Sequence, residues 1–395
     1  TAVKNTLNFI ILYSNGNISK QSFNRLSKFL NENIAYLQNK ITLHERFKSV
    51  YNSILEDDYE KFLKSSKKRL LVAGADLKFI KPALKYLEDD YNIKIDKWID
   101  NHSHDENKSN KLLNWADFIF CEWLLNNAVW YSKRKLGHQK LIIRAHKAEL
   151  NVNYGYQVNY NNVDRVIAVS YYYLELFAIT FGIPREKMIL LNNYIETDIY
   201  SRTKTEDFKS NLAIVGYVPK WKGLLKGLHI LKILKEHDQK FKLHLFGKNY
   251  RDVDWIWNKL EERTYFGKCE KFIKDHNLED SVIVHGWTER SEIFSNIGYV
   301  LSVSDIESFH LAPAEGLCDG TLALLLDWDG VEYVYPDKII FDDIYDMKDM
   351  ILSTYYDEDK YNKLLKEMSD YAIEEFNVEK FINELKTILH RISLS

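Results

Sequence analysis

The stretch DIESFHLAPAEG, residues 305–316, sets Glu307 and Glu315 eight positions apart across a segment that also carries Ser308, Phe309, His310 and Leu311. An ordinary buried helix would not carry this set. Just upstream, GYVLSVS (298–304) is a short apolar run suited to a buried strand, and downstream Pro313 sits near the start of a helical segment, where proline is well tolerated. A strand therefore gives way to a helix within this stretch. The first amides of a helix have no internal partners and carry partial positive charge, so such a junction favours anions, phosphates above all. Two acids flanking an anion site call for an explanation beyond packing.

The same junction recurs along the chain. RLLVAG, IKIDKWI, FIFCEW, KLIIRAH, RVIAVS and MILLNN alternate with amphipathic or polar segments between residues 69 and 193. After the polar stretch SRTKTEDFKSN (201–211) the pattern restarts with LAIVGYV, KLHLFGK, SVIVHGW, YVLSVS, LALLLDW and KIIF. Such alternation predicts an α/β fold of two domains with parallel sheets and crossover helices. Before it, residues 1–66 are polar with helical spacing (Phe23, Leu26, Phe29, Leu30, Ile34, Leu37), which reads as a mainly helical extension. The expected organisation is that extension, an N-terminal domain over 67–205, a C-terminal domain over 206–375, and a last helix (376–395) packing back across them.

Polar and glycine residues gather where the strands end. Gly74 and Asp76 follow the first strand, Glu122 and Trp123 another, Arg144 and His146 another. The second half offers Gly216, Gly247 with Lys248, Gly286 with Trp287 and Thr288, and the Glu307 segment. In open parallel sheets ligands bind beyond the carboxyl ends of the strands. Two such rims facing each other make a cleft.

Bulk properties narrow the partners. With 395 residues, 46% of them hydrophobic, the chain fills two ordinary cores. A formal net charge of -3 supplies no global positive field for nucleic acid. Local basic runs, KSSKKR (64–69) and SKRKLGHQK (132–140), read first as solvated faces and second as a peripheral membrane contact. Cys121, Cys269 and Cys318 are too scattered for a disulfide framework or zinc knuckle, which fits a reducing cytoplasm. The opening TAVKNTLNF has no secretory-signal pattern, and its initial threonine suggests a piece of a longer chain. DNHSHDE (100–106) holds ligand-type residues without metal spacing. The aromatics, 14% of the chain, read second as sugar-stacking surfaces and first as core, since those of VDWIWNKLEERTYF (253–266) fall at spacings that fit a buried helix face.

At this point the residues carry a resemblance. ESFHLAPAEGLCDGTLALLLDWDGVEYVYP (307–336) resembles the E-x7-E signature of retaining glycosyltransferases of the GT-B fold, notably glycosyltransferase family 4, with Glu307 and Glu315 on the signature glutamates and Gly320 on a later glycine. VDRVIAVSYYYLELFAITFGIPREKMILLNNYIETDIY (163–200) resembles the family's end-of-first-domain pattern. IVGYVPKWKG (214–223) resembles its GRLxxxKG, and SVIVHGWTERSEI (281–293) its VxFxGxVxxxEL. The likeness spans roughly residues 68–390, and GADLKFI, WADFIFCEW and NAVWYS look like a poorly characterised subgroup.

The resemblance implies two facing Rossmann-like domains and a retaining, metal-independent transfer of a sugar from a UDP- or GDP-sugar to a glycan, lipid-linked or glycoconjugate acceptor. The nucleotide sugar is then a substrate and no cofactor is needed; the setting implied is bacterial surface polysaccharide synthesis in the cytoplasm, at the inner membrane face. Glu307 would meet the donor sugar hydroxyls and Glu315 the ribose, while amides of Ser308, Phe309, His310 and Leu311 face the diphosphate. Lys222 would be its main cation, with Lys220 or Lys226 as partner, because Tyr217 stands where an arginine is usual. Gly216, Gly247, Lys248, Gly286, Trp287 and Thr288 would line the donor rim. On the acceptor side His146 resembles the family's histidine at the site mouth, with Gly74, Asp76 and Arg144 near it. Retention in the family is thought to use the leaving phosphate as base. Ser308 and His310 replace two usual glycines. DWD (327–329) mimics a metal motif of another glycosyltransferase fold but lies after the wrong strand for it. Two other readings stand beside this one: a catalytically silent GT-B module that binds glycan or scaffolds a larger synthase, and a nucleotide-sugar epimerase.

Overall fold

The short apolar runs all become strands of the two sheets. The computed structural model describes residues 67–200 and 203–394, so the extension expected over 1–66 lies outside the described residues. The first sheet holds β1 (Lys68–Gly74), β2 (Tyr91–Lys97), β3 (Phe118–Glu122), β4 (Lys140–Ala145), β5 (Arg165–Ala168) and β6 (Met188–Leu190), in the order β2-β1-β3-β4-β5-β6. The second holds β7 (Asn211–Val215), β8 (Lys242–Phe246), β9 (Val282–Gly286), β10 (Tyr299–Ser302), β11 (Leu322–Leu326) and β12 (Ile340–Phe341), in the order β12-β11-β10-β7-β8-β9. Every pairing is parallel. Parallel sheets need cover on both faces, and β3 and β11, buried at every position, show it.

Helices supply that cover. In the first lobe they include α1 (Glu106–Trp115), α2 (Asn126–Arg134) and α3 (Tyr171–Phe181); in the second they include α4 (Leu224–His237), α5 (Leu260–Asp275), α6 (Leu311–Cys318) and α7 (Glu358–Phe376), with the helix Ile344–Tyr355 also against β11 and β12. Asp105 and Asp357 cap α1 and α7 by accepting from Lys108 and Lys360 amides. The chain then returns to the first lobe. Tyr361, Met368, Ala372 and Phe376 of α7 belong to the second core, while Phe381, Ile382, Leu385 and Leu389 of α8 (Val378–Ser393) join Leu70, Val72 and Ile142 in the first. At the crossing, the Ile195 amide donates to Phe376 O at 2.6 Å.

Strand order fixes where a ligand can enter. In the second sheet the chain runs from β7 outward to β8 and β9, then jumps back to β10 on the other side of β7. In the first it runs from β1 to β2 and then back to β3. Loops leaving the two strands at such a reversal diverge above and below the sheet and leave a crevice. The β7/β10 and β1/β3 exits are those crevices.

The segment 253–266 departs from expectation. It splits into a short helix, Asp254–Trp257, and α5, with extended backbone at Lys259. Ile256 and Phe266 are buried, whereas Trp255 and Trp257 are 51% and 41% exposed. The break at Asn258–Lys259 puts the two tryptophans out of phase with the buried face of α5. No described helix is long and apolar enough to cross a membrane.

Candidate active site between the lobes

Gly223 positions the central contact. After β7 the chain makes a 3-10 turn, Lys220–Lys222, and enters α4 through Gly223 at φ +77°. A Cβ there would lie 2.0 Å from Val303 O, so only glycine lets this turn rest on the β10 exit. The Asp305 amide donates to Trp221 O at 2.7 Å and pins the two loops together. Lys222 Nζ is thereby brought 2.5 Å from Glu307 Oε1, which also accepts from Ser304 Oγ at 2.8 Å. Burial works against the Glu307 carboxylate, but the charges of His310 and Lys222 and the hydrogen bonds from Lys222 and Ser304 outweigh it and bring its pKa down to about 2. Burial pushes the His310 imidazole down to about 4, so at neutral pH Lys222 is the standing cation.

His310 occupies the left-handed region, φ +54°, where a glycine would be unstrained. Such a conformation costs a side-chain-bearing residue on the order of 1–3 kcal/mol. Hydrogen bonds at both ends hold it: the ring Nδ1 lies 2.7 Å from Ser302 Oγ, and Tyr335 OH donates to His310 O at 2.7 Å. His310 is also the N-cap of α6 and gives it no side-chain cap. Pro313 has no amide hydrogen and the Ala314 amide meets Tyr335, so the Leu311 and Ala312 amides are the ones this helix start offers a ligand. Leu311, the first residue of α6, lines a cavity of about 260 Å³ whose other walls include Arg290 from the second lobe and Lys78, Phe79, Asn193 and Tyr194 from the first.

Around this centre the structure sorts the sequence candidates. Gly216, Gly247 and Gly286 leave β7, β8 and β9 at φ +77°, +126° and +74°. Their exits are tied side by side, the Gly216 amide donating to Phe246 O and the Gly247 amide to Gly286 O. Lys248 and Trp287 project from this shelf exposed, Trp287 at 76%, and Thr288 is half-buried. Ser308 is half-buried beside Glu307, but the Phe309 ring turns inward against Tyr335 and Phe376, leaving only its backbone near the cleft. Lys220 parts from Lys222: its ammonium meets Glu261 at 2.9 Å and its amide donates to Glu262, both on α5. Lys226 pairs with Asp305 at 2.6 Å on the rim. Glu315, buried within α6, has its carboxyl pKa raised by burial against the opposing charge of Arg290. Arg290 Nη1 lies 2.8 Å from Glu315 Oε1, yet that oxygen receives no aligned hydrogen bond, so the contact is ionic.

The facing wall belongs to the first lobe. His146 follows β4 and is 4% exposed; its Nε2 lies 2.6 Å from Glu122 Oε1, and its ring sits 4.7 and 4.3 Å from the Phe79 and Trp123 centroids. Arg144, fully buried, backs Glu122 at 3.6 Å and donates to Asn193 Oδ1. Glu149, also buried, accepts from the amides of His146 and Leu124 and fixes the loop. Gly74 is a packing glycine, since a Cβ would meet Glu122 O at 2.9 Å. Asp76 is half-buried, pairs with Lys78, and accepts through its backbone from Trp123 Nε1 at 2.8 Å. Two residues that sequence reasoning passed over also reach the site. One is Arg290, four positions beyond Gly286. The other is Lys147, whose Nζ donates across the cleft to Ile306 O at 3.1 Å. Its place beside His146 in RAHKAE was the signal.

No protein-family model and no curated protein sequence matches the chain. Solved structures do. A glycosyltransferase from Rickettsia africae superposes with a TM-score of 0.62 at 13% identity, over 83% of this chain and 99% of that one. The Anabaena protein HepE, solved with UDP-glucose, gives 0.61 at 14% identity over 82% and 99%. Sucrose-phosphate synthase from Thermosynechococcus elongatus gives 0.60 at 13% identity over 82% and 99%. At such identities the likeness speaks for architecture: two six-stranded parallel sheets facing across a cleft, the GT-B fold.

Proposed function

We propose that the protein is a glycosyltransferase that moves a sugar from a nucleoside-diphosphate sugar to a hydroxyl-bearing acceptor, with retention at the anomeric carbon. The observation that carries this reading is the Lys222–Glu307 contact at the β7/β10 crevice, beside the uncapped start of α6. Lys222 and the first amides of α6 take the diphosphate. Glu307, ionised far below neutrality, accepts donor-sugar hydroxyls, and Glu315 accepts the ribose hydroxyls; a carboxylate has acceptor sites enough for paired hydroxyls. The HepE complexes with UDP and UDP-glucose support a uridine diphosphate donor.

In the reaction, the bond between the anomeric carbon and the β-phosphate oxygen breaks and its electron pair stays on the phosphate. The acceptor oxygen bonds the same carbon on the same face, and its proton passes to the departing phosphate. The protein's part is to stabilise the growing phosphate charge with donors fixed in advance. His146, held by Glu122 through Nε2, has Nδ1 left to orient the acceptor, and Phe79 and Trp123 give a sugar ring an aromatic face. The acceptor is a glycan, lipid-linked sugar or glycoconjugate of surface polysaccharide assembly, met in the cytoplasm at the membrane face. The reading invokes no resident cofactor or metal.

Lys222→Ala should lower transfer or donor hydrolysis by about 10²–10³-fold, the scale of losing one preorganised donor. Unchanged turnover in Lys222→Ala and Glu307→Ala would overturn the assignment. Thermal stabilisation by UDP or GDP without any sugar released would favour a binding module instead.

A further inference from the structure

The diphosphate site as described has one cation, and the loop where a second is expected has Tyr217, only 3% exposed. The neighbouring lysines do not make up the difference. Lys220 and Lys226 face the carboxylates of Glu261 and Asp305, and Arg290 faces Glu315. Lys147 differs from all three because it comes from the opposite lobe and its ammonium donates to a neutral carbonyl, Ile306 O, one residue from Glu307. Its Nζ lies over the Trp221 ring, 5.6 Å from the centroid, and Trp221 directly precedes Lys222. We propose that Lys147 is the second cation of the donor diphosphate site, supplied across the cleft by the first lobe. This rests on the donor reading given above.

Three features support it. First, a carbonyl is a weaker partner for an ammonium than a phosphate oxygen, since hydrogen bonds with both partners charged are the stronger ones, so an arriving diphosphate draws Lys147 off Ile306 at little cost. Second, burial lowers the Lys147 pKa, Glu307 opposes that and Lys222 adds to it, so Lys147 shares one electrostatic environment with both site residues. An anion placed between two such lysines relieves their mutual repulsion. Third, Lys147 follows His146 in sequence, so moving it onto the diphosphate couples donor binding to the loop that presents the acceptor-facing imidazole. Once the departing diphosphate has given up the proton it took from the acceptor it carries one further negative charge, so the same contact should also slow UDP release.

The test is calorimetric titration of the full chain with UDP, uridine, GDP and guanosine. Lys147→Met should weaken the preferred nucleoside diphosphate at least about tenfold while leaving the matching nucleoside within about twofold, a split that a lysine serving only to brace the lobes would not give. Lys147→Arg should keep diphosphate affinity within about threefold, because the charge stays. Equal diphosphate binding by wild type and Lys147→Met, or equal losses for diphosphate and nucleoside, overturns the proposal and leaves the donor reading standing. Failure of the wild type to bind either diphosphate overturns both.

Discussion

Glu307→Gln offers a test of the site's electrostatics that needs no substrate. The Glu307 carboxyl falls from 4.5 to about 2 in the folded protein. At 1.36 kcal/mol per unit, that depression corresponds to about 3 kcal/mol of stability at neutral pH. The sign follows from the direction. A depressed carboxyl contributes fully above its unfolded value and loses the contribution as pH falls toward its folded value. Of the neutral-pH contribution, about 2 kcal/mol should be gone by pH 3. Glutamine cannot titrate, so the stability gap between wild type and variant should narrow by up to that amount between pH 7 and pH 3. The variant also strands the Lys222 ammonium, which enlarges the gap, and it removes the charge that favours a protonated His310 imidazole, so wild type takes up that proton more readily near pH 4 and part of the narrowing is offset. Urea unfolding of both proteins at pH 7, 5, 4 and 3, followed through the transition of the C-terminal lobe, reads the gap. In a Lys222→Met background the narrowing should shrink, because one of the two charges that hold the carboxylate down, and a hydrogen bond with it, is gone. A gap that stays constant from pH 7 to pH 3 would mean that Glu307 is not held ionised by its surroundings, and the account of the Lys222–Glu307 pair would fail.

Two further expectations rest on the loops that build the pair. Gly223→Ala places a methyl 2.0 Å from Val303 O at φ +77°, so the Lys220–Gly223 turn must lift off β10, at a cost of about 3 kcal/mol or more. Calorimetry should show a lower transition for the C-terminal lobe, and titration should show lost UDP affinity; a variant that melts with wild type refutes the docking argument. Lys220→Ala should leave UDP affinity within about twofold, because that ammonium is spent on an exposed partner, Glu261, and a tenfold loss would instead place it on the diphosphate.

What the sequence conveys depends on whether an interaction is local. Each apolar run from RLLVAG to KIIF carries its own strand signal, bounded by turn residues, so the two parallel sheets and their restart after residue 201 were readable one segment at a time. The strand-to-helix junction at 305–316 was readable for the same reason. Lys222 and Glu307, 85 positions apart, could be set together only through the resemblance, because the contact depends on a glycine docking against Val303, and nothing in the local sequence says which surface a turn will meet. The 3-10 turn at 220–222 shows how fine this is: two lysines two positions apart diverge, one to Glu261 and one to Glu307, although the resemblance offered both to the phosphate, Lys222 first and Lys220 as a candidate partner. Lys147 lay further out of reach, since its partner is on another lobe and offers a backbone carbonyl, which no residue type announces. A cleft between lobes collects such contacts by its nature. Each lobe can be specified by its own periodicities, but the groups that meet across the gap are chosen by how the lobes sit, so the part of the site shared by both is the part that sequence patterns encode least.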